Sequence, residues 1–259
     1  MLTFIGLGLY DDESITVEGR AALDDADRAF AEFYTSHLVG ATVEDLEVAH
    51  GIDIEVRDRA GVEQDPGDIL AAAEDDHVAF LTAGDTMIST THVDLRLRAL
   101  DRGIDTRVIH GVTAQTAASG LTGLQNYRFG KSVTLPFPDA HGGDDVPGSV
   151  IESIEANRTR GLHTLVYLDI TADRDAYMTA DAAAELLVEA WTDTLGVAVA
   201  RAGSPDPVVA GDSLSALAER EFGDPLHLLV VPGDLHYVES DALAALGGAP
   251  EGVLAPRER

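Results

Sequence analysis

Short apolar segments that read as buried strands alternate along this chain with segments whose apolar residues recur at helical spacing. That alternation limits the fold more than any other feature. Strand character is expected at residues 2–9, 29–34, 77–81, 106–110, 132–137, 162–170, 197–201, 207–210 and 226–231. Helical spacing is expected at 16–27, 91–102, 147–160, 179–195, 213–222 and 240–246, with a small-residue helix starting over 113–119. Gly103 and Gly161 stand where a helix ends in a left-handed turn, Pro147 lies in a first turn, and Thr179 takes an N-cap position. Strands separated by helices imply βαβ units and an open α/β sheet. Two successive sets, of about 110 and 150 residues, suggest two α/β domains, 1–111 and 112–259, joined near Gly111-Val112. Residues 141–145 read as a Gly/Asp loop rather than a domain linker.

Charge narrows the function classes. Asp and Glu total 46 against 17 Lys and Arg, for a net charge of −29. The acids are dispersed, as in Asp11-Asp12-Glu13, Asp24-Asp25 and Glu74-Asp75-Asp76. A dispersed excess describes a solvated surface suited to a salt-rich cytoplasm, rather than a single cation site. With no basic stripe to displace counterions, backbone-driven binding of nucleic acid is excluded. Without cysteine there are no disulfides, no thiolate catalysis and no Cys-ligated zinc. No apolar run approaches the roughly 18 residues a membrane span requires, and the N-terminus Met1-Leu2-Thr3-Phe4-Ile5-Gly6 lacks a basic signal-peptide region.

Four segments could carry chemistry. Gly6-Leu7-Gly8-Leu9 follows the first strand, but Asp11 stands where a dinucleotide fingerprint needs its third glycine. Alone it is a generic strand-to-helix turn. Residues 83–92, Ala-Gly-Asp-Thr-Met-Ile-Ser-Thr-Thr-His, leave a strand at the end where open α/β sheets bind ligands. There Asp85 could meet a ribose, an ammonium or a sulfonium, or could serve only as a turn residue. Residues 121–132 contain Lys131, the only lysine among the 17 basic residues. Val231-Pro232-Gly233-Asp234-Leu235-His236-Tyr237-Val238-Glu239 again places a histidine and acids after a strand. The nine histidines show no metal-binding spacing, and neither a Gly-x-Ser-x-Gly elbow nor a Walker loop is present.

Together these stretches resemble the diphthine synthase family, a branch of the tetrapyrrole-methylase fold. The resemblance is carried by Ile5–Leu9 through Thr16, Gly84–His92, Leu121–Pro138, Leu168-Asp169-Ile170, Tyr177–Ala180, and Val231–Gly233 with Leu235-His236. Leu9-Tyr10 replaces the Pro-Gly usual in other branches, which argues against a porphyrin or ribosomal-RNA substrate. Thr86 replaces the usual proline after Gly-Asp, and Thr113-Ala114 replaces a frequent Ser-Ile. The resemblance implies two α/β domains with a methyl donor, S-adenosylmethionine, in a cleft between them. It implies a homodimer, no metal, and S-adenosylhomocysteine as the spent donor. The acceptor implied is a modified histidine on translation elongation factor 2. Carried over by position, the donor site comprises Leu9, Asp85, Ile88, Thr113, Ala114, Leu168, Ala210 or Gly211, and His236; no catalytic base is assigned. Two other readings stand beside it: an enzyme of the same fold acting on a tetrapyrrole or RNA, and a non-catalytic nucleotide-binding or assembly protein.

The net charge of −29 makes stability salt-dependent, because like charges repel over roughly 10 Å at about 0.1 M salt and only about 3 Å at 1 M. Thermal unfolding followed by circular dichroism should show a midpoint that rises steadily as KCl increases from about 0.1 M to multimolar. A midpoint insensitive to salt would refute this account of the surface.

Overall fold

A computed structural model describes residues 1–141, 145–171 and 174–254. Most of the expected 141–145 loop, residues 142–144, lies outside them. The chain forms two compact units, Met1–Ala114 and Gln115–Arg259, so the division falls a little beyond Gly111-Val112.

The first unit contains β1 (Leu2–Gly6), α1 (Val17–Asp24), β2 (Arg28–Glu32), α2 (Val43–His50), β3 (Ile54–Arg57), α3 (Gly67–Asp75), β4 (Val78–Thr82), α4 (His92–Asp101) and β5 (Thr106–Ile109). Its five strands lie in the order β3-β2-β4-β1-β5, every pair parallel. Parallel strands covered on both faces read as continuous apolar runs, and the burial follows. Leu2, Phe4, Phe30 and Phe80 point to one face, where Ile69, Leu70, Leu95 and Ala99 of α3 and α4 cover them. Ile5, Ala31, Ala79 and Leu81 point to the other, against Leu23 and Leu46 of α1 and α2. Residues 35–76 gave no expected elements, yet they hold α2, β3 and α3. Their helix signal is a capping box: Thr42 caps the Asp45 N–H while the Asp45 carboxylate accepts from the Thr42 N–H.

The second unit contains α5 (Ala114–Thr122), β6 (Val133–Leu135), α6 (Gly148–Thr159), β7 (Thr164–Leu168), the short pair β8 (Ile170–Thr171) and β9 (Ala176–Tyr177), α7 (Ala180–Val188), β10 (Leu195–Ala200), β11 (Val208–Ser213), α8 (Leu214–Ala218), β12 (His227–Val231) and α9 (Tyr237–Leu246). Its main sheet runs β11-β10-β12-β7-β6, and only β6 and β7 pair in parallel. The expectation of repeated βαβ units is therefore corrected here to one such unit, β6-α6-β7. The helix expected over 179–195 stops at Val188, because Leu195 is drawn into β10 opposite Ser213. Thr179 takes the N-cap place of α7 without a side-chain cap bond. The helix expected from Ser240 begins earlier, at Tyr237.

Glycine is required where β1, β4 and β5 end side by side. A Cβ on Gly111 would sit 2.2 Å from the Gly84 carbonyl oxygen, and one on Gly6 would sit 2.6 Å from both that oxygen and the Gly111 nitrogen. These neighbours are backbone and cannot swing away. Gly111→Ala should therefore destabilise the protein by roughly 1–3 kcal/mol, the usual cost of forcing extra atoms into packed space. Urea unfolding in high salt would measure it; an unchanged midpoint would contradict the packing.

Candidate active site

The loop after β1 leads to α1 on one face of the first sheet, and the loop after β4 leads to α4 on the other. Where neighbouring parallel strands send their connections to opposite faces, a crevice opens at the carboxyl ends, and open α/β sheets bind ligands there. The two loops are pinned across this opening by a two-way bridge: the Gly84 N–H donates to the Gly8 carbonyl at 2.6 Å and the Gly8 N–H to that of Gly84 at 3.2 Å. Both glycines have positive φ, 83° and 75°, a conformation costly for other residues. A Cβ on Gly84 would meet nothing within 4 Å, so open space lies before the loop.

Asp85 follows Gly84 and is only 5% exposed. Its Oδ1 accepts from the Met87 N–H at 2.8 Å; its Oδ2 accepts from His110 Nδ1 at 2.7 Å and from the Gly111 N–H at 3.2 Å. The carboxylate thus ties the loop after β4 to the loop after β5. Three of its roughly four acceptor positions are occupied. Leu9 lies just past the Gly8 bridge, half-buried, and Ile88 is exposed in the Asp85 loop. Thr113 and Ala114 follow Gly111 at the start of α5. Unit 1 therefore gathers Leu9, Asp85, Ile88 and the approach to Thr113-Ala114 at one end of one sheet. Sequence reasoning missed His110, which is the side-chain partner of Asp85.

Beneath this loop is a second buried carboxylate. Glu32, at the end of β2, accepts from the N–H groups of Tyr34 and Thr35 and from the Thr35 hydroxyl. His92 Nδ1 donates to the Thr86 carbonyl at 2.9 Å, and its Nε2 faces Glu32 Oε1 at 3.4 Å. The imidazole stands edge-on to Phe80. Burial favours the neutral form of each partner, raising the Glu32 carboxyl and lowering the His92 imidazole.

In unit 2 the predicted residues are more dispersed. Leu168 ends β7, whereas His236 follows the end of β12. These strands are antiparallel, with Val231 opposite Thr164 and Leu228 opposite Tyr167, so Leu168 and His236 lie toward opposite ends of the sheet. Ala210 faces the core formed with α7 and α8. Gly211 faces the other way; its N–H donates to the Gly247 carbonyl, and a Cβ would press on Ala249 at 2.9 Å. Any contact from this pair to a ligand must come from backbone rather than from a side chain.

His236 is exposed and is the N-cap of α9, its Nδ1 facing the Val238 N–H at 3.4 Å. The third residue of that helix is Glu239, fully buried, whose Oε2 accepts from the His236 N–H at 2.8 Å. Oε1 accepts from the Gln125 N–H at 2.9 Å and from His163 Nε2 at 3.0 Å, and Arg128 Nη1 lies 3.3 Å from Oε2. Burial alone would raise this carboxyl, but the N–H groups of Gln125 and His236 together with His163 hold it below the usual range. Sequence reasoning assigned Glu239 no role. The signal was its spacing three residues after His236, the capping-box interval.

The segment around Lys131 has a structural explanation. Asn157 donates to the Lys131 carbonyl at 2.8 Å and to Thr164 Oγ1, and its Oδ1 accepts from the Lys131 N–H. A Cβ on Gly130 would fall 2.1 Å from that Oδ1. Lys131 Nζ itself is exposed, 3.4 Å from Ser153 Oγ.

Residues 1–218 match the model of the Tetrapyrrole (Corrin/Porphyrin) Methylases. A diphthine synthase of Halorubrum lacusprofundi is 75% identical over 259 aligned residues, covering 96% of this chain and 98% of the relative. The chain belongs to the diphthine synthase family of tetrapyrrole methylases. A diphthine synthase of Methanosarcina acetivorans is 47% identical with both chains fully covered. A crystal structure of diphthine synthase superposes with a TM-score of 0.90 at 37% identity, covering 97% of this chain and 98% of the other. The chain is accordingly a methyltransferase, and similarity to relatives such as those of Halorubrum and Haloquadratum walsbyi agrees with its acidic surface. Among the described residues no helix is long and apolar enough to cross a membrane.

The buried imidazoles set a pH limit. His92, His163 and His227 are all held below their usual 6.5 by burial. His163 Nδ1 accepts from the Gly233 N–H, and His227 Nδ1 from the Ala180 N–H; a proton on either nitrogen would displace a backbone donor. Below pH 6.5 the unfolded chain binds protons that the folded chain resists, so their stabilising effect is complete above that pH and lost as pH falls through the window beneath it. Glu32 acts oppositely: its raised carboxyl favours the fold at low pH, and that contribution is lost as pH rises above 4.5. With His50, which burial also lowers, four imidazoles oppose this one carboxyl, so the melting midpoint at fixed multimolar KCl should fall between about pH 7.5 and 5.5. A flat or rising profile over that span would contradict the neutral tautomers.

Proposed function

We propose that this methyltransferase moves methyl groups from S-adenosylmethionine to the amino group of a 3-amino-3-carboxypropyl histidine on translation elongation factor 2. It acts repeatedly, up to a trimethylammonium, in a salt-rich cytoplasm and as a homodimer. The relatives' names support the acceptor. The supporting observation in the structure is the strand-end loop 84–92. Its glycine faces open space, and its carboxylate is locked by three donors. An anion fixed at that point favours a cationic ligand through charge attraction, and open space before Gly84 leaves room for backbone to approach the donor. The residues present thus fit a sulfonium donor. Leu9, Asp85, Ile88, Thr113 and Ala114 would hold it; Leu168, the Ala210-Gly211 backbone and His236 are the further donor contacts that the family resemblance implies.

The donor supplies an electrophilic methyl and leaves as a neutral thioether. The protein's task is then mainly orientation, which can lower such barriers by about 7–11 kcal/mol. Asp85, spanning two loops through His110 and Gly111, fixes charge and shape rather than shuttling protons. The acceptor amine must be unprotonated to attack, and exclusion of water around it lowers its pKa. His236 binds and orients.

Incubating elongation factor 2 that lacks its last methylations with this protein and donor should give mass increments of one methylene at a single peptide. No increment would refute the acceptor. Titrating donor to about 100 times its Kd should add about 2.7 kcal/mol of stability. His236→Ala should weaken donor binding about tenfold with kcat largely kept; a collapse of kcat at unchanged donor affinity would instead give His236 a chemical role.

A further inference from the structure

The buried cluster around Glu239 joins three stretches that are distant in sequence. Its carboxylate holds the N–H of Gln125, the N–H of His236 and Nε2 of His163. His163 is oriented in turn: its Nδ1 accepts from the Gly233 N–H at 3.1 Å, so the ring proton lies on Nε2 and is directed at Glu239. Arg128 closes the ring. Its Nη1 approaches Glu239 Oε2, and its Nη2 donates to the carbonyls of Asp234 at 2.6 Å and Gly161 at 3.3 Å. The His163 backbone joins the same segment, donating to the Arg128 carbonyl and accepting from the Gly130 N–H. Every donor aimed at Glu239 is spoken for, and both oxygens are filled. Without this anion, the Gln125, His163 and His236 donors would be left without their acceptor, a costly state for buried groups.

We propose that Glu239 is a positioning residue for methyl transfer: by holding the His236 N–H and the Gln125 N–H with one carboxylate, it sets where the His236 ring stands against the donor. This rests on the reading of His236 as a donor contact. The two oxygens divide the work. Oε1 serves the structural side, Gln125 and His163, while Oε2 serves the turn that carries His236.

Glu239→Gln separates the two. The amide oxygen keeps the Oε1 bonds, but the amide nitrogen donates and cannot accept from the His236 N–H. Donor affinity by calorimetry and kcat should be measured in multimolar KCl for the wild type, Glu239→Gln, His236→Ala and the double variant. We expect Glu239→Gln to weaken donor binding about tenfold while kcat at saturating donor stays within about twofold. In the His236→Ala background that further loss should disappear, because the positioned group is gone. If Glu239→Gln lowers donor affinity by the same factor with and without His236, or leaves it unchanged while His236→Ala weakens it, the proposal is overturned. If His236→Ala and Glu239→Gln both leave donor affinity unchanged, or the wild type does not bind donor, the donor-site reading fails and this proposal with it. Should Glu239→Gln not accumulate as folded protein, Arg128→Gln removes the second contact on Oε2. A smaller loss that again vanishes without His236 supports the proposal, and one that persists overturns it.

Discussion

Three parallel strand ends meet in the first unit with no room for a side chain between them. A single carbon added to Gly6 or Gly111 would collide with neighbouring backbone, the Gly84 carbonyl oxygen in both cases. This close approach fixes where the loops after β1, β4 and β5 begin. It places the Gly111 N–H within reach of Asp85 and lets Gly8 and Gly84 bridge. The candidate donor loop is therefore built on main-chain geometry, and its carboxylate is positioned by two backbone donors, the Met87 and Gly111 N–H groups, together with the His110 ring.

The described residues bury only three acids, Glu32, Asp85 and Glu239, from a chain that carries 46. Each accepts at least one backbone N–H; Asp85 and Glu239 each hold a turn that carries a candidate site residue, whereas Glu32 holds the Tyr34-Thr35 turn. Their protonation differs with the donors supplied. Glu239 is surrounded by Gln125, His236, His163 and Arg128 and stays an anion despite burial. Glu32 has the Tyr34 and Thr35 donors, but its ring neighbour His92 is itself held neutral, and burial prevails. The outer acids face water, where salt screens their repulsion. The inner three are matched by local donors and depend little on that screening.

In both units a neutral histidine reads backbone geometry. His92 donates to the Thr86 carbonyl, His163 accepts from the Gly233 N–H, and each ring stands edge-on to a phenylalanine, Phe80 or Phe129. The aromatic contact and the backbone bond together leave little rotational freedom. A loop anchored in this way presents its neighbours with little entropy left to lose on binding a ligand.

The sequence alone determined the α/β class, the two-unit organisation, the acidic surface and the stretches that carry the family resemblance. These depend on period and composition, which are local. Helix ends such as Gly103 and Gly161 were legible because a positive φ at the end of a helix favours glycine. Less was legible where packing decides. The antiparallel pairing of β7 with β12 put Leu168 and His236 toward opposite ends of one sheet, and no periodicity distinguishes that from a parallel order. Asp85 was visible as a strand-end carboxylate, but its partner His110 lies 25 residues away. Glu239 meets Gln125 across 114 residues and His163 across 76. Such partners are chosen only when the chain is compact, because a buried carboxylate must find its donors among whatever the fold brings within about 3 Å.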